Sequence, residues 1–367
     1  MRAIISGGGT GGHIFPAIAI ANALKAKQEN MDILFVGAEG RMEMEKVPEA
    51  GYEIQGLPIA GLQRKFSLKN LSLPFKIVAS LRKANKIVKS FRPDICIGVG
   101  GYASGPLLRV AQKRGIPTII QEQNSYAGMT NKMLSRNAQA ICVAYDRMER
   151  FFPADKISLT GNPVRKTIID ADISQAEARK SFGLDPNKKT ILVFGGSLGA
   201  RTLNESVASK VELLKERGDI QVIWQVGKIY FDEFSKSDAA KLPHVNCMKF
   251  IMKMENAYAA ADVVACRAGA LTISELCIAG KASILVPSPY VAEDHQTENA
   301  NALVRAHAAK MIKDSDAKSA LLEEAYALID NPSNIGRLQN EIKKLAKADA
   351  IDLIINKIIE KLSLIHI

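Results

Sequence analysis

Short apolar runs, rich in Ile and Val, alternate with longer amphipathic segments along most of the chain. Apolar runs of about four to eight residues are typical of strands that are buried on both faces of a parallel sheet. In the first half they predict strands near Ala3–Ile5, Ile33–Val36, Ile95–Val99, Thr118–Gln121 and Ile141–Ala144. The segments between them predict helices over Ala17–Lys27, Phe75–Ser90 and Pro106–Arg114.

The alternation is interrupted at Thr160–Pro163, where "TGNP" is followed by a polar stretch that predicts a linker. It restarts with a predicted helix over Arg201–Glu216 and with strands near Thr190–Phe194, Gln221–Gln225, Asn246–Phe250, Val263–Cys266 and Ser283–Val286. Such alternation favours an α/β architecture with helix-covered parallel sheets. In a chain of 367 residues we therefore predict two domains, residues 1–162 and 163–348, with a ligand-binding cleft between the carboxyl ends of their strands.

Composition narrows the class of protein. A hydrophobic content of 47% with 24% charged residues is typical of a soluble globular protein. The five cysteines occur singly, so we expect reduced thiols of a cytosolic protein and neither disulfides nor metal ligands. We expect no secretory signal, because Met1-Arg2 runs directly into a predicted strand. The longest uncharged apolar stretch, Ile14–Leu24, is about half of the roughly 20 residues that span a bilayer.

Basic charge is concentrated in the first half. Residues 1–162 hold 22 Lys and Arg against 12 Asp and Glu, whereas the remainder holds 27 against 26. Between Glu53 and Asp94 there are nine basic residues and no acid. A charge run is usually a solvated face, but basic residues near anionic lipid contribute about 1 kcal/mol each. No nucleic-acid recognition motif accompanies the charge, so we expect a membrane surface and no nucleic acid as partner.

A predicted helix in this basic span also has an apolar stripe. Its members are Phe75, Val78, Leu81, Val88 and Phe91. Lys76, Lys83, Lys86 and Lys89 lie largely off the stripe. An amphipathic, basic helix of this kind could dock a domain on a membrane without insertion.

The stretch "SGGGTGGHIFP" places a glycine loop between the first predicted strand and helix. Gly7, Gly9 and Gly12 satisfy the G-x-G-x-x-G spacing of dinucleotide-binding folds, and Glu39 follows the second strand where a ribose-binding acid is expected. An NAD-dependent oxidoreductase is therefore one candidate. That fold does not require His13, nor does it predict further glycine loops in the second half.

Such loops are present in the second half. "GGS" follows one strand, and "CRAGALTISE" follows another, with Thr272 and Ser274 in the first turn of the helix that it opens. Backbone N–H groups and the dipole at such a helix start can hold a diphosphate, and Glu275 could accept hydrogen bonds from a ribose. A well-capped core helix explains Thr272 and Ser274 equally well.

Seven motifs occur in the same order as in a known family: "GGGTGGH", "GVGGYASGP", "QEQN", "TGNPVR", "GGSLGA", "CRAGALTISE" and "AEDHQTENA". Together they span some three hundred residues, and the chain resembles the MurG family. Its members transfer N-acetylglucosamine (GlcNAc) from UDP-GlcNAc to lipid I, which forms lipid II for bacterial peptidoglycan. The resemblance implies a GT-B fold of two Rossmann-like domains, the first for the acceptor and the membrane, the second for the nucleotide sugar. It also implies that a C-terminal helix, about 349–362, returns to the first domain.

The resemblance implies a donor site in both halves. From the first half it would include Thr10, Gly11, Gly12 and Asn124. From the second half it would include Arg165 and Ser197 at the phosphates, Ile251 at the uracil through its backbone, Ala270, Leu271, Thr272, Ile273, Ser274 and Glu275 at the diphosphate and ribose, and Gln296 at the sugar. The family often has His at position 121 and Gln at position 198, where this chain has Gln121 and Leu198, so neither side chain is assigned to the site.

Transfer from a UDP-sugar needs a proton acceptor and stabilisation of the leaving diphosphate. His13 is the first candidate base, because imidazole titrates near neutral pH. Hydrogen bonding at the helix start, for example to an acceptor phosphate, is the competing role. Glu122 is the alternative base, or the group that orients His13. Gly101, Tyr102 and Ser104 would line the acceptor diphosphate pocket. Attack opposite the departing UDP would invert the anomeric centre, as in the family.

We expect no metal ion and no cofactor. Asp170-Ala171-Asp172 has the spelling of a metal-binding motif, but it lies in the predicted linker and is interpreted as a solvated loop. The main hypothesis is thus a peripheral UDP-GlcNAc transferase that acts on lipid I at the cytoplasmic face of the bacterial inner membrane. The alternatives are the oxidoreductase above and a non-catalytic nucleotide-sugar-binding subunit.

Overall fold

Two parallel sheets organise the chain. The computed structural model describes residues 1–59 and 73–363. The chain divides into one unit of Met1–Val164 with Asp349–Ile367 and a second unit of Arg165–Ala348. Each unit has its own sheet and its own buried core.

The sheet of the first unit has strand order β3-β2-β1-β4-β5-β6-β7, and all its described pairs are parallel. Its strands are β1 (Arg2–Ser6), β2 (Asp32–Ala38), β3 (Glu53–Leu57), β4 (Ile95–Gly98), β5 (Thr118–Glu122), β6 (Ala140–Val143) and β7 (Ile157–Leu159). The helices are α1 (Gly11–Lys27), α2 (Glu43–Glu49), α3 (Leu73–Phe91), α4 (Ser104–Lys113), α5 (Met129–Leu134) and, from the end of the chain, α16 (Ala350–Ser363).

The alternation of side chains along β1 joins two cores. Ile4 is buried in a cluster with residues of α3 and α4, whereas Ala3 and Ile5 are buried with residues of α1 and α16. Helix α16 contributes Ile354, Ile355 and Ile358 to the second cluster. It therefore packs on α1, the helix that follows the glycine loop.

The sheet of the second unit has strand order β10-β9-β8-β11-β12-β13, again parallel. Its strands are β8 (Lys189–Phe194), β9 (Ile220–Gln225), β10 (Val245–Met248), β11 (Val263–Cys266), β12 (Ala282–Leu285) and β13 (Lys310–Met311). Its helices are α6 (Lys166–Ile169), α7 (Gln175–Ser181), α8 (Arg201–Ala208), α9 (Val211–Glu216), α10 (Phe231–Phe234), α11 (Met254–Ala260), α12 (Ala270–Ala279), α13 (His295–Arg305), α14 (Asp314–Ile329) and α15 (Pro332–Lys344). The predicted α/β class with two parallel sheets is confirmed.

Three predicted elements differ from the structure. Helix α1 begins at Gly11 and not at Ala17. The prediction started the helix too late because the first turn contains glycines, which have low helix propensity. The helix predicted over Arg201–Glu216 is two helices, α8 and α9, separated at Ser209 and Lys210. The predicted linker after Pro163 contains α6 and α7, and a capping box between Ser174 and Glu177 starts α7.

The five cysteines are free thiols. Burial raises the pKa of Cys142 and that of Cys277 to about 12, and the pKa of the half-buried Cys247 to about 11. These thiols therefore stay protonated at neutral pH, and their side chains act as small apolar groups.

Candidate active site

A buried carboxylate, that of Glu43, holds the glycine loop between β1 and α1 in place, and no motif indicated it. Glu43 is 0% exposed, and its two oxygens accept hydrogen bonds from Gly9 N at 2.9 Å and from Ala38 N at 3.0 Å. A Cβ at Gly8 would lie only 2.2 Å from Glu43 Oε1. The N–H of Gly9 is thus already bonded within the protein. The motifs did not indicate Glu43, which lies on the short helix α2 outside all of them.

A second glycine loop, between β4 and α4, packs directly on the first. A Cβ at Gly101 would lie 2.4 Å from the carbonyl oxygen of Gly8. At Gly100, where φ is +89°, a Cβ would lie 2.7 Å from His13 Cδ2 and 2.8 Å from His13 Nε2. Glycine is therefore required here by backbone packing and by the position of the imidazole ring.

His13 is half-buried in the first turn of α1. Its Nδ1 lies 3.1 Å from the carbonyl oxygen of Gly8 and 3.3 Å from Thr10 Oγ1. A carbonyl oxygen can only accept a hydrogen bond, so the contact with Gly8 favours the tautomer that carries its proton on Nδ1. In that tautomer Nε2 is the nitrogen that carries the lone pair, so it is the ring atom able to accept a proton.

Glu122 ends β5 and is 2% exposed. Its carboxylate accepts hydrogen bonds from both the main chain and the side chain of Asn124, at 3.1 and 3.3 Å. It also accepts from Gly128 N at 3.0 Å and from Asn131 Nδ2 at 2.9 Å. These four bonds favour a role for Glu122 in holding the loop and orienting Asn124 over a role in proton transfer.

Buried amides connect the motifs "QEQN" and "TGNP". Gln121 Nε2 donates to Asn162 Oδ1 at 3.0 Å, and Asn162 Nδ2 donates to the carbonyl of Gln123 at 3.0 Å. Gln123 in turn donates to the side chain of Gln121 and to the carbonyl of Val99. The three amide residues are at most 1% exposed. Both motifs therefore also have a structural function within the first unit.

The predicted acceptor residues have different environments. Tyr102 is 48% exposed, whereas Ser104 is fully buried and donates to the carbonyl of Gly101 at 2.8 Å. Ser104 thus takes part in the internal structure of the loop. The contacts of Gly101, Tyr102 and Ser104 with an acceptor stay predictions.

In the second unit, α12 begins directly after the loop that follows β11. Its N-cap is Gly269, which has no side chain to bond the first N–H groups of the helix. Ser274 Oγ is directed back to the carbonyl of Ala270 at 3.1 Å and does not cap the helix. The helix start, with Thr272 half-buried on its first turn, thus has the form of an anion-binding site.

Glu275 lies in the second turn of α12 and is 9% exposed. Tyr258 Oη donates to its Oε2 at 2.8 Å. Arg165 donates to its Oε1, from Nη2 at 3.0 Å and from Nε at 3.3 Å. Two residues predicted to contact the donor, Arg165 and Glu275, are therefore brought together, and Tyr258 is a third partner that motif analysis did not identify.

The other predicted donor residues of this unit follow the carboxyl ends of its strands. Ser197 is exposed after β8. Gln225, at the end of β9, joins two of the loops: its Nε2 donates to Gly196 O at 3.0 Å and its Oε1 accepts from Ile251 N at 2.8 Å. A uracil contact at Ile251 would thus use the carbonyl.

The last predicted donor residue, Gln296, lies in the first turn of α13. Its Oε1 accepts a hydrogen bond from Ser288 N at 2.8 Å, which ties it to the loop before that helix.

Asp170 and Asp172 are exposed. They flank Ala171, which lies near the amino ends of the strands of the second sheet, whereas α12 begins at the carboxyl ends. Ala171, between them, lines a cavity of about 640 Å³ together with Lys189, Asp262 and Lys281, which stand at the amino ends of strands. The sequence pair is therefore remote from α12's first turn. Within residues 1–59 and 73–363, no group of three or more His, Cys, Asp or Glu is arranged to hold a metal ion.

Known proteins resemble the chain over nearly its full length. Residues 3–143 match the glycosyltransferase family 28 N-terminal domain, and residues 190–354 match the C-terminal domain of the same family. A UDP-N-acetylglucosamine--N-acetylmuramyl-(pentapeptide) pyrophosphoryl-undecaprenol N-acetylglucosamine transferase of Phocaeicola vulgatus is 56% identical, over 98% of this chain and 96% of the relative. The protein of the same name in Cytophaga hutchinsonii is also 56% identical over the same shares. The crystal structure of Acinetobacter baumannii MurG has 30% identity and a TM-score of 0.79, and the alignment covers 98% of this chain and 99% of that one.

Replacement of Gly100 by Ala is expected to displace the His13 ring. Both Gly100→Ala and the control Gly40→Ala place a side chain at positive φ, which costs about 1–2 kcal/mol. Only Gly100→Ala adds the collision with His13, since nothing lies within 4 Å of a Cβ at Gly40. Urea unfolding should give a larger loss of unfolding free energy for Gly100→Ala, and NMR should show shifted His13 ring signals in that variant alone. Equal losses and unchanged His13 signals would contradict the geometry.

Proposed function

The chain belongs to the MurG family of glycosyltransferase family 28, and from this premise we propose how its residues carry out the transfer of GlcNAc from UDP-GlcNAc to lipid I, which forms lipid II. It is an N-acetylglucosaminyltransferase. The proposal covers the site residues, the stereochemical course, the absence of a metal ion and the membrane face. The observation that carries it is the uncapped start of α12 beside a carboxylate, Glu275, that two side chains hold in place.

The second unit binds the donor. The N–H groups at Ala270–Thr272 and the dipole of α12 stabilise the diphosphate, with Ser197 and the guanidinium of Arg165 as further donors. The ribose hydroxyls donate to the carboxylate of Glu275, which the bonds from Tyr258 and Arg165 hold in place. Ile251 meets the uracil through its carbonyl, and Gln296 the sugar hydroxyls.

The first unit binds the acceptor and supplies the base. His13 Nε2 takes the proton of the muramoyl C4 hydroxyl, a role that the Nδ1 contact with Gly8 supports. Asn124, which Glu122 holds, contacts the sugar of the donor with Thr10, Gly11 and Gly12, and Gly101 and Tyr102 contact the acceptor diphosphate. The hydroxyl attacks the anomeric carbon opposite the departing UDP, so the anomeric configuration is inverted.

No metal ion takes part in the proposed reaction. The charge that develops on UDP is met by the α12 dipole and by Arg165, which belong to the chain itself. The remote position of Asp170 and Asp172 supports this proposal.

The first unit also docks on anionic lipid at the cytoplasmic face of the inner membrane. Phe75, Ile77 and Val78 in the first turns of α3 are 78, 40 and 46% exposed, whereas Val88 of the predicted stripe is buried in the core. Lys76, Lys86 and Lys89 of the same helix are exposed. Arg64, Lys65 and Lys69 of the basic span lie outside the described residues. In the described part of the chain, no helix has the length and apolarity needed to cross a bilayer.

Release of UDP in the presence of a lipid I analogue tests the reaction. We expect turnover that excess EDTA leaves unchanged, because chain dipoles and Arg165 replace a cation. The product should carry GlcNAc in the β configuration, as NMR of the product can show. Binding of UDP-GlcNAc without UDP release would favour the non-catalytic subunit, tight NAD(H) binding without UDP binding would favour the oxidoreductase, and inhibition by EDTA would refute the metal-free course.

Replacement of His13 by Ala distinguishes the two candidate bases. We expect kcat to fall by about 10²–10⁴-fold with a nearly unchanged KM for UDP-GlcNAc, the range for loss of a general base. Glu122→Gln should chiefly lower the melting temperature and raise the donor KM, because one amide oxygen cannot replace two carboxylate oxygens that accept four bonds. His307→Ala, at an exposed position, is the control. The reverse pattern would make Glu122 the base.

Membrane docking is tested with vesicles of phosphatidylglycerol and phosphatidylcholine. Phe75→Ser should weaken co-sedimentation about tenfold, since burial of a Phe side chain contributes about 1.5–3 kcal/mol. Met252→Ser removes a comparably exposed apolar side chain from the second unit (80% exposed) and should have no effect. Wild-type binding should also weaken as salt is raised. Equal effects of the two variants would place the docking surface elsewhere.

A further inference from the structure

The carboxylate of Glu275 accepts hydrogen bonds from two side chains of different exposure, Tyr258 and Arg165. Tyr258 is 1% exposed on α11, and its ring packs edge-on against Phe194 of β8, with 6.2 Å between the centroids. The Arg165 side chain is 47% exposed and stands at the N-cap of the short helix α6. The partner of Oε2 is thus fixed in the core, whereas the partner of Oε1 is at the surface.

The Tyr258 hydroxyl is a permanent donor. Burial, together with the negative charge of Glu275, raises the pKa of Tyr258 well above its ordinary value. The phenol therefore keeps its proton at neutral pH, where it donates to Glu275. Because a carboxylate offers about four acceptor positions, one bond from Tyr258 leaves the remainder of Glu275 available to a ligand.

We propose that Tyr258 is a positioning residue for donor binding: it holds Glu275 in the orientation that accepts the ribose hydroxyls, while Arg165 moves from Glu275 to the diphosphate when the nucleotide binds. The inference rests on the proposed donor site. In the free protein Arg165 neutralises Glu275. When Arg165 leaves, Oε1 becomes free for the ribose, and the bond from Tyr258 is what keeps the carboxylate from rotating away.

Calorimetric titration of UDP and 2′-deoxy-UDP into the full chain tests the proposal. Tyr258→Phe keeps the ring and removes the hydroxyl, so we expect the Kd for UDP to rise about tenfold, equivalent to about 1.4 kcal/mol. The Kd for 2′-deoxy-UDP should rise less, so that discrimination between the two nucleotides falls. In the assay with the lipid I analogue, the KM for UDP-GlcNAc should rise while kcat stays within about twofold, as expected for lost positioning of a binding group.

The matched control is Tyr326→Phe. Tyr326 is 3% exposed in the same unit, and its hydroxyl has no hydrogen-bond partner among the described residues. Loss of that hydroxyl should leave both nucleotide affinities unchanged. An equal effect of the two Phe variants would show a general response of the core and would overturn the proposal.

A double-mutant cycle separates positioning from packing. In a Glu275→Ala background, Tyr258→Phe should cause no further loss of UDP affinity, because its only effect passes through that carboxylate. An additional loss of the full size would overturn the proposal. If Tyr258→Phe does not fold, Glu275→Asp is the second variant. It keeps the charge but moves the carboxylate away from Tyr258 by the length of one methylene group. Unchanged UDP affinity in Glu275→Asp would contradict the positioning of the carboxylate. Failure of the wild-type chain to bind UDP would instead refute the proposed donor site itself.

Discussion

Main chain packs directly on main chain at the carboxyl edge of the first sheet, and this contact fixes the arrangement of the loops there. Parallel strands β1 and β4 are neighbours, so the loops that follow them leave the sheet side by side. At Gly8 and Gly101 the two loops approach until no Cβ fits between them. The contact of His13 with the Gly8 carbonyl, and with it the tautomer of the ring, depends on that approach. Gly8, Gly100 and Gly101 are therefore required by packing within the protein, whether or not a ligand binds.

The central strands could be predicted from the sequence, whereas of the strands at the sheet edges only β10 was predicted. β1, β4, β8 and β11 are covered on both faces and appear as continuous apolar runs. The strands that the pattern missed, β3, β7 and β13, all lie at the edge of a sheet, where exposed and half-buried positions break the run. The start of α1 was missed for a related reason, because its glycines resemble a loop and only the tertiary contacts make them helical.

The candidate site was predictable where a motif fixes backbone geometry, and not where a side chain acts through a distant partner. The glycine turn in "CRAGALTISE" predicts a helix start, although the motif alone left open whether that start was capped. By contrast, Glu43 lies 34 residues from Gly9, and Tyr258 lies 17 residues from Glu275, and neither belongs to a motif. Pairings of this kind are set by the packing of helices on strands. Ser104 is a further example, since its motif does not indicate that its hydroxyl is buried and donates to the carbonyl of Gly101.

The two units illustrate different uses of positive charge. The second half of the chain is almost neutral, with 27 basic against 26 acidic residues beyond position 162, although the proposed diphosphate site lies there. Its attraction for an anion must come from oriented groups, namely the N–H groups and dipole of α12 and one guanidinium that Glu275 holds in the free protein. Oriented groups act at short range and favour a ligand of one particular shape. The basic excess of the first half acts over about a Debye length and favours any negatively charged surface. In the first glycine loop the N–H of Gly9 is already bound by Glu43, so that loop has less capacity to hold a phosphate than its motif suggests. The proposed function follows this difference in charge: it assigns the nucleotide to the unit with fixed dipoles and the lipid surface to the unit with net charge.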